Sequence, residues 1–466
     1  RFSDLLALAL DAEGLTTSGY PVIAAPGPID HDASSRRGNA QLRLESGVGS
    51  GFTASARAAG FSESEDGGTL DTTARARQGE IALGLDGHGL EAHLYGRLAR
   101  FDQDRATIAP NPFVRASASL ASIQGAPADD EGLSAVFHAE GFSAGVEARR
   151  VAGRSVEQLF PTQPGIVHRE TAGEQLLGGI FAEQLLRLAD VDLQGALRLD
   201  GWRNRSSGRV ETLSSGAVQE TELSARSDLQ LSPRLGALWK PLSWLGVRAA
   251  GYRSFRAPTL NELYRPFQVG PVRTDGNPQL GPETLTGAEA GFDLFGLAHA
   301  TGFWSRLEDP IVNVTVGPNL AQRRNLGAAR IAGIELRVQS PSVGGARLDF
   351  GWTYVRTRVI GSSDDGRELP QDPHHRVSAG VIYDGWVSAE VRLRWTSDQS
   401  EDDLNTERLP GFATFDAYVS RKLSQAVTIF GAAENVLDRR YLVGLQGGVA
   451  TLGQPLSVRG GIRLAL

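Results

Sequence analysis

WVSAEVRLRW, residues 386–395, sorts its side chains by parity. Val387, Ala389, Val391, Leu393 and Trp395 occupy the odd positions, and Ser388, Glu390, Arg392 and Arg394 the even ones. Successive side chains of a strand point to opposite faces, so this stretch reads as a strand with one apolar and one charged face. The chain repeats the pattern. In VDLQGALRLD (191–200), Val191, Leu193, Leu197 and Leu199 oppose Asp192, Gln194, Arg198 and Asp200. In SVRGGIRLAL (457–466), Val458, Ile462, Leu464 and Leu466 oppose Arg459 and Arg463. LDFGWTY (348–354), IELRV (334–338) and LEAHLYGRL (90–98) continue it. About twenty such segments, each roughly ten residues long, are expected, with no long helical pattern between them.

The connections alternate in length. SGVGS (46–50), DGHG (86–89), EG (140–141), LAD (188–190), FGL (295–297), PSVGG (341–345) and DG (384–385) are short enough for hairpin turns. Between them fall long loops, expected at 11–38, 102–130, 151–176, 203–231, 257–283, 307–329, 358–373, 397–411 and 434–454. All would lie at one end of the sheet. A soluble sandwich also alternates, but about twenty strands with every second connection short is the pattern of a transmembrane antiparallel β-barrel. In that fold the apolar face meets lipid and the charged face lines the lumen, and pairing satisfies the backbone where water is absent.

Composition agrees. The 466 residues carry a net charge of −7, which lacks the basic excess of a nucleic-acid binder. Cysteine is absent, excluding disulfides and thiolate sites. Apolar runs such as LLALAL (5–10) are far shorter than the roughly 20 residues of a membrane helix. Arg1 as first residue and the lack of any Met read as a mature or trimmed chain.

Several stretches resemble TonB-dependent outer-membrane receptors of Gram-negative bacteria. SFRAPTLNELYRPF (254–267) with GNPQLGPETLTGAEAGFD (276–293) is similar to the family's long extracellular loop and the strand leaving it. FWSRLEDPIVNVTV (303–316) with RRNLGAARIAGIELRV (323–338) resembles the next hairpin, and LPGFATFDAYVS (409–420) with AENVLDRRYL (433–442) leads to the closing strand. The resemblance implies a 22-stranded barrel, of which about 20 strands would be present as a single barrel domain over 1–466. The family's N-terminal plug and first strands have no counterpart in the chain. It ends on Leu466 where the family usually has an aromatic. The resemblance further implies import of a scarce nutrient: a ferric siderophore or similar metal chelate first, cobalamin or haem next. The implied partners are TonB with its inner-membrane energising complex, outer-membrane lipid and lipopolysaccharide, and the barrel-assembly machinery. No cofactor is implied.

FRAP (255–258) and NPQL (277–280) look like the paired boxes of haem receptors, but residues 259–276 hold no histidine. Arg256, Pro258, Asn277 and Pro278 are expected to shape the loop, the prolines by fixing backbone direction. Tyr264, Arg265, Phe267 and Arg273 are the ligand candidates, because rings and guanidiniums suit an anionic, aromatic chelate. Trp202 and Arg203, at the mouth of another strand, are further candidates. Trp352, Tyr354, Trp386 and Trp395 are expected in aromatic girdles. The acidic groups Glu63, Glu65, Asp66; Asp364, Asp365; and Glu401, Asp402, Asp403 read as loop tips with some capacity for Ca²⁺. His374 and His375 should point apart. A passive pore shares every barrel feature. A hydrolase is the remaining alternative, through GFSAG (141–145), but Ser143 lacks the strand-turn-helix elbow that this motif needs.

Overall fold

The computed structural model describes residues 6–49, 51–161, 164–205, 207–269, 272–361 and 365–464. Leu466 and Asp364 lie outside them. Twenty antiparallel strands pair with their neighbours in chain order, from Leu6–Pro21 with Asp32–Gly47 through to Val427–Glu434 with Ser457–Leu464. The sheet counts 22 strands because a hairpin, Ser207–Leu213 and Val218–Leu223, extends it from the outer part of Ile166–Leu188. The wall therefore has the strand number the alternation foretells. Among the described residues its first and last strands do not pair. Above them, however, the loops meet: Ile23 bridges Thr451, and the Leu452 amide donates to the Val22 carbonyl at 2.8 Å.

The two faces follow the parity of the sequence. Leu10, Leu98, Leu235 and Val458 are each more than 70% exposed, and Leu42, Ile81, Leu94 and Ile462 join them on the outer face. So much exposed hydrocarbon on one side of a sheet belongs against lipid. On the inner face charges interlock across strands. Glu80 accepts from Arg57 at 3.0 Å and from Arg97 at 2.7 Å, and Asp130 accepts from Arg149 at 2.8 Å. Arg459 pairs with Glu434 at 2.9 Å. The buried apolar side chains Leu263, Leu280, Ala329 and Val359 gather under the outer segments, so the small core belongs to the loops.

The short connections are hairpin turns as expected. His88 and Gly89 both take positive φ, 50° and 77°, the conformation that matches strand twist in a two-residue turn. The long loops differ from expectation in extent. Instead of looping over 102–130, the chain stays in strand to Ala109 and resumes at Ser117. Likewise 151–176 is mostly strand, Phe142–Leu159 and Ile166–Leu188. Only residues 22–31 separate the first two strands. Beyond the bilayer, pairing continues while the outer face loses its lipid, so the apolar alternation that marks a strand fades before the strand does.

Trp352, Tyr354 and Trp395 surround His375 on the outer face, with ring centroids 6.0, 5.0 and 6.3 Å from the imidazole. Trp386 sits at the opposite, short-turn end, with the Arg421 guanidinium 5.5 Å from its ring centroid. Together they mark two aromatic levels.

Candidate functional site

The segment leaving the strand Leu245–Arg256 folds back onto the inner face of the extended strands Phe142–Leu159 and Ile166–Leu188. Thr259 starts a short helix, Leu260–Tyr264, through a capping box: its hydroxyl accepts from the Glu262 amide at 3.2 Å, and Glu262 accepts from the Thr259 amide at 2.8 Å. Arg256 locks that arrangement. It donates to both Glu262 oxygens, at 2.8 and 2.9 Å, and to Glu283 at 2.7 Å. Its partners are thus two carboxylates, Glu262 and Glu283. Those bonds raise the Arg256 pKa. Glu262 is held below the ordinary carboxylate range, because burial, which opposes this, is outweighed by bonds from Arg256 and Thr259.

Pro258 is fully buried, and its carbonyl accepts from Gln175 at 2.8 Å. Asn277 donates to the Arg323 carbonyl at 2.9 Å and accepts from the Gln279 amide at 2.9 Å, closing the turn that holds half-buried Pro278. The Tyr264 ring lies on Gly173, where a Cβ would stand 2.5 Å from Cε2. This glycine is the space into which the helix packs.

Arg265 reaches from this segment to the wall. It donates to Gln124 Oε1 at 2.9 Å, and its guanidinium lies 4.9 Å from the centroid of Phe101. Gln124 in turn donates to Ser155 at 3.1 Å and Glu157 at 2.9 Å. Glu157 also receives Arg105 at 2.7 Å and Arg169 at 3.3 Å, and Arg169 binds Glu211 at 2.6 Å. Arg323 covers the Phe267 ring at 4.8 Å and is held by the carbonyls of Asn261 and Arg265. Arg273 pairs with Asp275 at 2.8 Å.

A cleft of about 480 Å³ opens beside this network, lined by Arg105, Arg169, Arg273, Glu157, Phe160 and Pro266. Burial lowers the pKa of Arg105, Arg265 and Arg323, and for Arg265 the positive charge of Arg105 adds to it. Arg265 and Arg323 have no carboxylate partner among the described residues. Positive charge that is half-desolvated and has no direct ion pair favours an anion.

Tyr264, Arg265, Phe267 and Arg273 therefore share one region. Trp202 and Arg203 do not act together: Trp202 is buried on the inner face, its indole nitrogen unpartnered, while Arg203 is exposed on the other face. Arg105, Gln124, Glu157, Arg169 and Arg323 were not singled out in the sequence. Polar residues at i, i+2 spacing, as in Ser122–Gln124 and Ser155–Glu157, are the signal that strands continue there with a lumenal face.

A second cavity, about 470 Å³, lies between outer loops and is lined by Thr69, Arg105, Arg115, Gln371 and Glu401 among others. Glu401 is 8% exposed; one oxygen accepts from Gln371 at 3.2 Å and the other has no partner. Burial raises its pKa. Of the remaining acidic candidates, Glu63, Glu65 and Asp66 stand in the strand Phe52–Asp66 rather than at a loop tip, with Asp66 paired to His31 at 2.8 Å, while Asp402 accepts from Thr406 and Glu407, and Asp403 accepts from Thr315. His374 binds Glu368 at 2.8 Å, away from His375.

At the short-turn end, Asp86, Glu91 and His93 bring one donor atom each within 4.8 Å, all open to solvent. Ser143 bonds His138 Nδ1 at 2.9 Å as its direct cross-strand neighbour. It follows the turn and continues as strand, so no nucleophile elbow is formed.

The family model described as "TonB dependent receptor-like, beta-barrel" matches residues 8–436. The chain is 27% identical over 235 residues to the "Iron-regulated outer membrane virulence protein" of Vibrio cholerae, covering 45% of this chain and 36% of that protein. It thus spans little more than a third of that relative. Among solved structures, the ferric yersiniabactin uptake receptor FyuA from Yersinia pestis superposes with a TM-score of 0.75 at 15% identity, over 100% of this chain and 76% of that one. The copper transporter OprC superposes at 0.79 and 17% identity, over 99% and 76%.

Proposed function

The chain belongs to the TonB-dependent receptor family, outer-membrane β-barrels of Gram-negative bacteria, and from that premise we propose that it takes up an anionic metal chelate of the ferric-siderophore class. One observation carries the choice of ligand. Arg265 and Arg323 stand beside a cleft lined by Arg105, Arg169 and Arg273, and whereas each of those three has a carboxylate within ion-pair distance, Arg265 and Arg323 have none among the described residues. A chelate bearing negative charge would supply the missing counter-ion, and Phe101, Phe160 and Phe267 offer apolar surface beside it. Cobalamin and haem rank lower, haem because residues 259–276 have no histidine for its iron.

We place the rest of the machine by the same reasoning. The unpaired edges Leu6–Pro21 and Ser457–Leu464 would each leave backbone groups unsatisfied in hydrocarbon, at several kcal/mol apiece. Two further strands would close the wall, and a plug domain would fill a lumen otherwise wide enough to leak. Energy would come from TonB and its inner-membrane complex, insertion from the barrel-assembly machinery, and the surroundings would be outer-membrane lipid and lipopolysaccharide. No enzymatic role is proposed.

The test is uptake of radiolabelled ferric chelates of catecholate, hydroxamate and carboxylate type by cells carrying the full-length protein. Accumulation is expected for at least one and should stop when the proton gradient is collapsed. Arg265→Gln should weaken its binding about tenfold, the order expected for one charge-assisted contact. Uptake that continues without the gradient would overturn the receptor reading. Binding of neutral cobalamin unaffected by the substitution would overturn the anionic one.

A further inference from the structure

Asp86 and Glu91 are direct partners across the hairpin that turns at His88 and Gly89, and both project from the lumenal face that carries Glu80. Two carboxylates in that relation repel. Elsewhere on this face guanidiniums answer such charges: Glu80 has Arg57 and Arg97, Asp130 has Arg149, Asp200 has Arg198, and Glu434 has Arg459. Neither Asp86 nor Glu91 has an arginine or lysine within ion-pair distance among the described residues. Imidazoles face them instead. His93 Nε2 stands 4.0 Å from Asp86, and His138 Nε2 stands 3.6 Å from Glu91.

Register and a missing side chain gather the rings there. Gly84 is the direct partner of His93, and a Cβ on it would stand 3.2 Å from His93 Nδ1, so its absence leaves the ring free to lean along the strand toward Asp86. His138 lies two residues beyond Val136, the partner of Glu91, and on the same face. Its Nδ1 is engaged by the Ser143 hydroxyl at 2.9 Å, so Nε2 is the nitrogen turned to Glu91. Proteins orient metal-binding imidazoles in this way, by tying the far nitrogen and leaving the near one to the ion.

The donor set has a definite preference. One atom each of Asp86, Glu91 and His93 lies within 4.8 Å of the others. Donors about 2.0–2.1 Å from a tetrahedral zinc ion stand about 3.3 Å apart, a closure within reach of rotating half-exposed side chains. Two carboxylates cancel the charge of a dication. The imidazole disfavours Mg²⁺ and Ca²⁺, which take oxygen ligands, and the lack of sulfur disfavours monovalent copper.

We propose that Asp86, Glu91 and His93 form a site for a borderline divalent metal ion of the zinc class on the lumenal wall at the short-turn, periplasmic end of the barrel, with His138 placed to add a fourth donor. The ion converts repulsion across the hairpin into attraction. The site is at the opposite end of the lumen from the loop cleft, and the inference is independent of which chelate that cleft takes.

The experiment is equilibrium dialysis of the full-length receptor in detergent, without a histidine tag and stripped of metal, against micromolar radioactive Zn²⁺. Zn²⁺ should be retained in the presence of millimolar Ca²⁺. Asp86→Asn and His93→Ala should each weaken retention by about tenfold or more, the order of a lost ligand. His299→Ala, which removes a ring held by Asp293 elsewhere on the same face, should change nothing. Retention by the His93→Ala variant equal to wild type, displacement by Ca²⁺, or no retention at all would overturn the proposal, and the imidazoles would then be counter-ions to the carboxylates and nothing more. If the variants fail to fold, the wild type decides. Zn²⁺ at about ten times its dissociation constant should slow modification of His93 by diethyl pyrocarbonate about tenfold, and modification at an equal rate with and without Zn²⁺ overturns the site.

Discussion

Arg115→Ala should unfasten three outer loops without melting the wall. Arg115 donates to both oxygens of Asp30 at 2.6 Å and to the Thr69 hydroxyl at 2.9 Å, and the paired side chains of Arg115 and Asp30 are each only 3% exposed. Asp30 also accepts from Thr69 at 2.8 Å and from the Gly27 amide at 2.8 Å. Residues 22–31, 67–72 and 110–116 are thereby joined through one buried ion pair.

Removing a single partner leaves the other charge buried and uncompensated, which costs about 3–5 kcal/mol. The loss falls on local opening, because the wall strands keep their own ladders. The His31 amide, bonded to the Gly68 carbonyl at 3.0 Å, and the Leu70 amide, bonded to Ile29 at 3.2 Å, report that opening. Their hydrogen exchange should accelerate on the order of 100-fold or more, at tenfold per ~1.4 kcal/mol. Amides of the strands Thr73–Gly87 and Leu90–Ala109 should be unchanged. Asp30→Asn with Arg115→Met, which removes both charges, should recover much of the protection. Acceleration below about fivefold at His31 and Leu70 would refute the reasoning, as would equal acceleration along the wall. Acid supplies the same perturbation: the bonds to Asp30, outweighing its burial, hold its pKa below the usual value, so its contribution is present at neutral pH and is lost as pH falls through that depressed pKa, below about 4.

Two further substitutions probe the loops. Glu401 behaves oppositely to Asp30: burial raises its pKa, so its ionised form opposes folding above the unfolded value near 4.3, and Glu401→Gln should slow exchange of the Leu445 amide at pH 7 but not at pH 4. Gly173→Ala would put a methyl 2.5 Å from the Tyr264 ring and push the helix Leu260–Tyr264 off the wall. Overpacking of this kind costs about 1–3 kcal/mol, read here as weaker chelate binding with unchanged thermal unfolding of the barrel; unchanged binding would show that Tyr264 does not set the position of Arg265.

The parts of the fold that depend on local chemistry were legible residue by residue. Parity in WVSAEVRLRW and VDLQGALRLD names the lipid face without reference to any partner strand, because side-chain direction alternates within a single strand. The short turns were equally legible, since His88-Gly89 and Glu140-Gly141 are two-residue connections whose glycines accept positive φ. Strand ends were not. Above the membrane both faces meet water or loops, and residues 102–105 pair without an apolar signature.

The candidate site was half visible. Arg265 and Arg273 stood out in a long loop rich in rings and cations. Arg105, Gln124, Glu157 and Arg169 come from strands far away in the chain, and each alone is an unremarkable polar residue. By itself the sequence determined which side chains face lipid, where the chain turns and how many times it crosses, because these are properties of neighbours one or two residues apart. Only the tertiary structure decided that Arg265 meets Gln124 across 141 residues and that Arg77 faces Arg100. Register and the inward fold of the loop set those encounters, and both depend on the whole sheet being assembled.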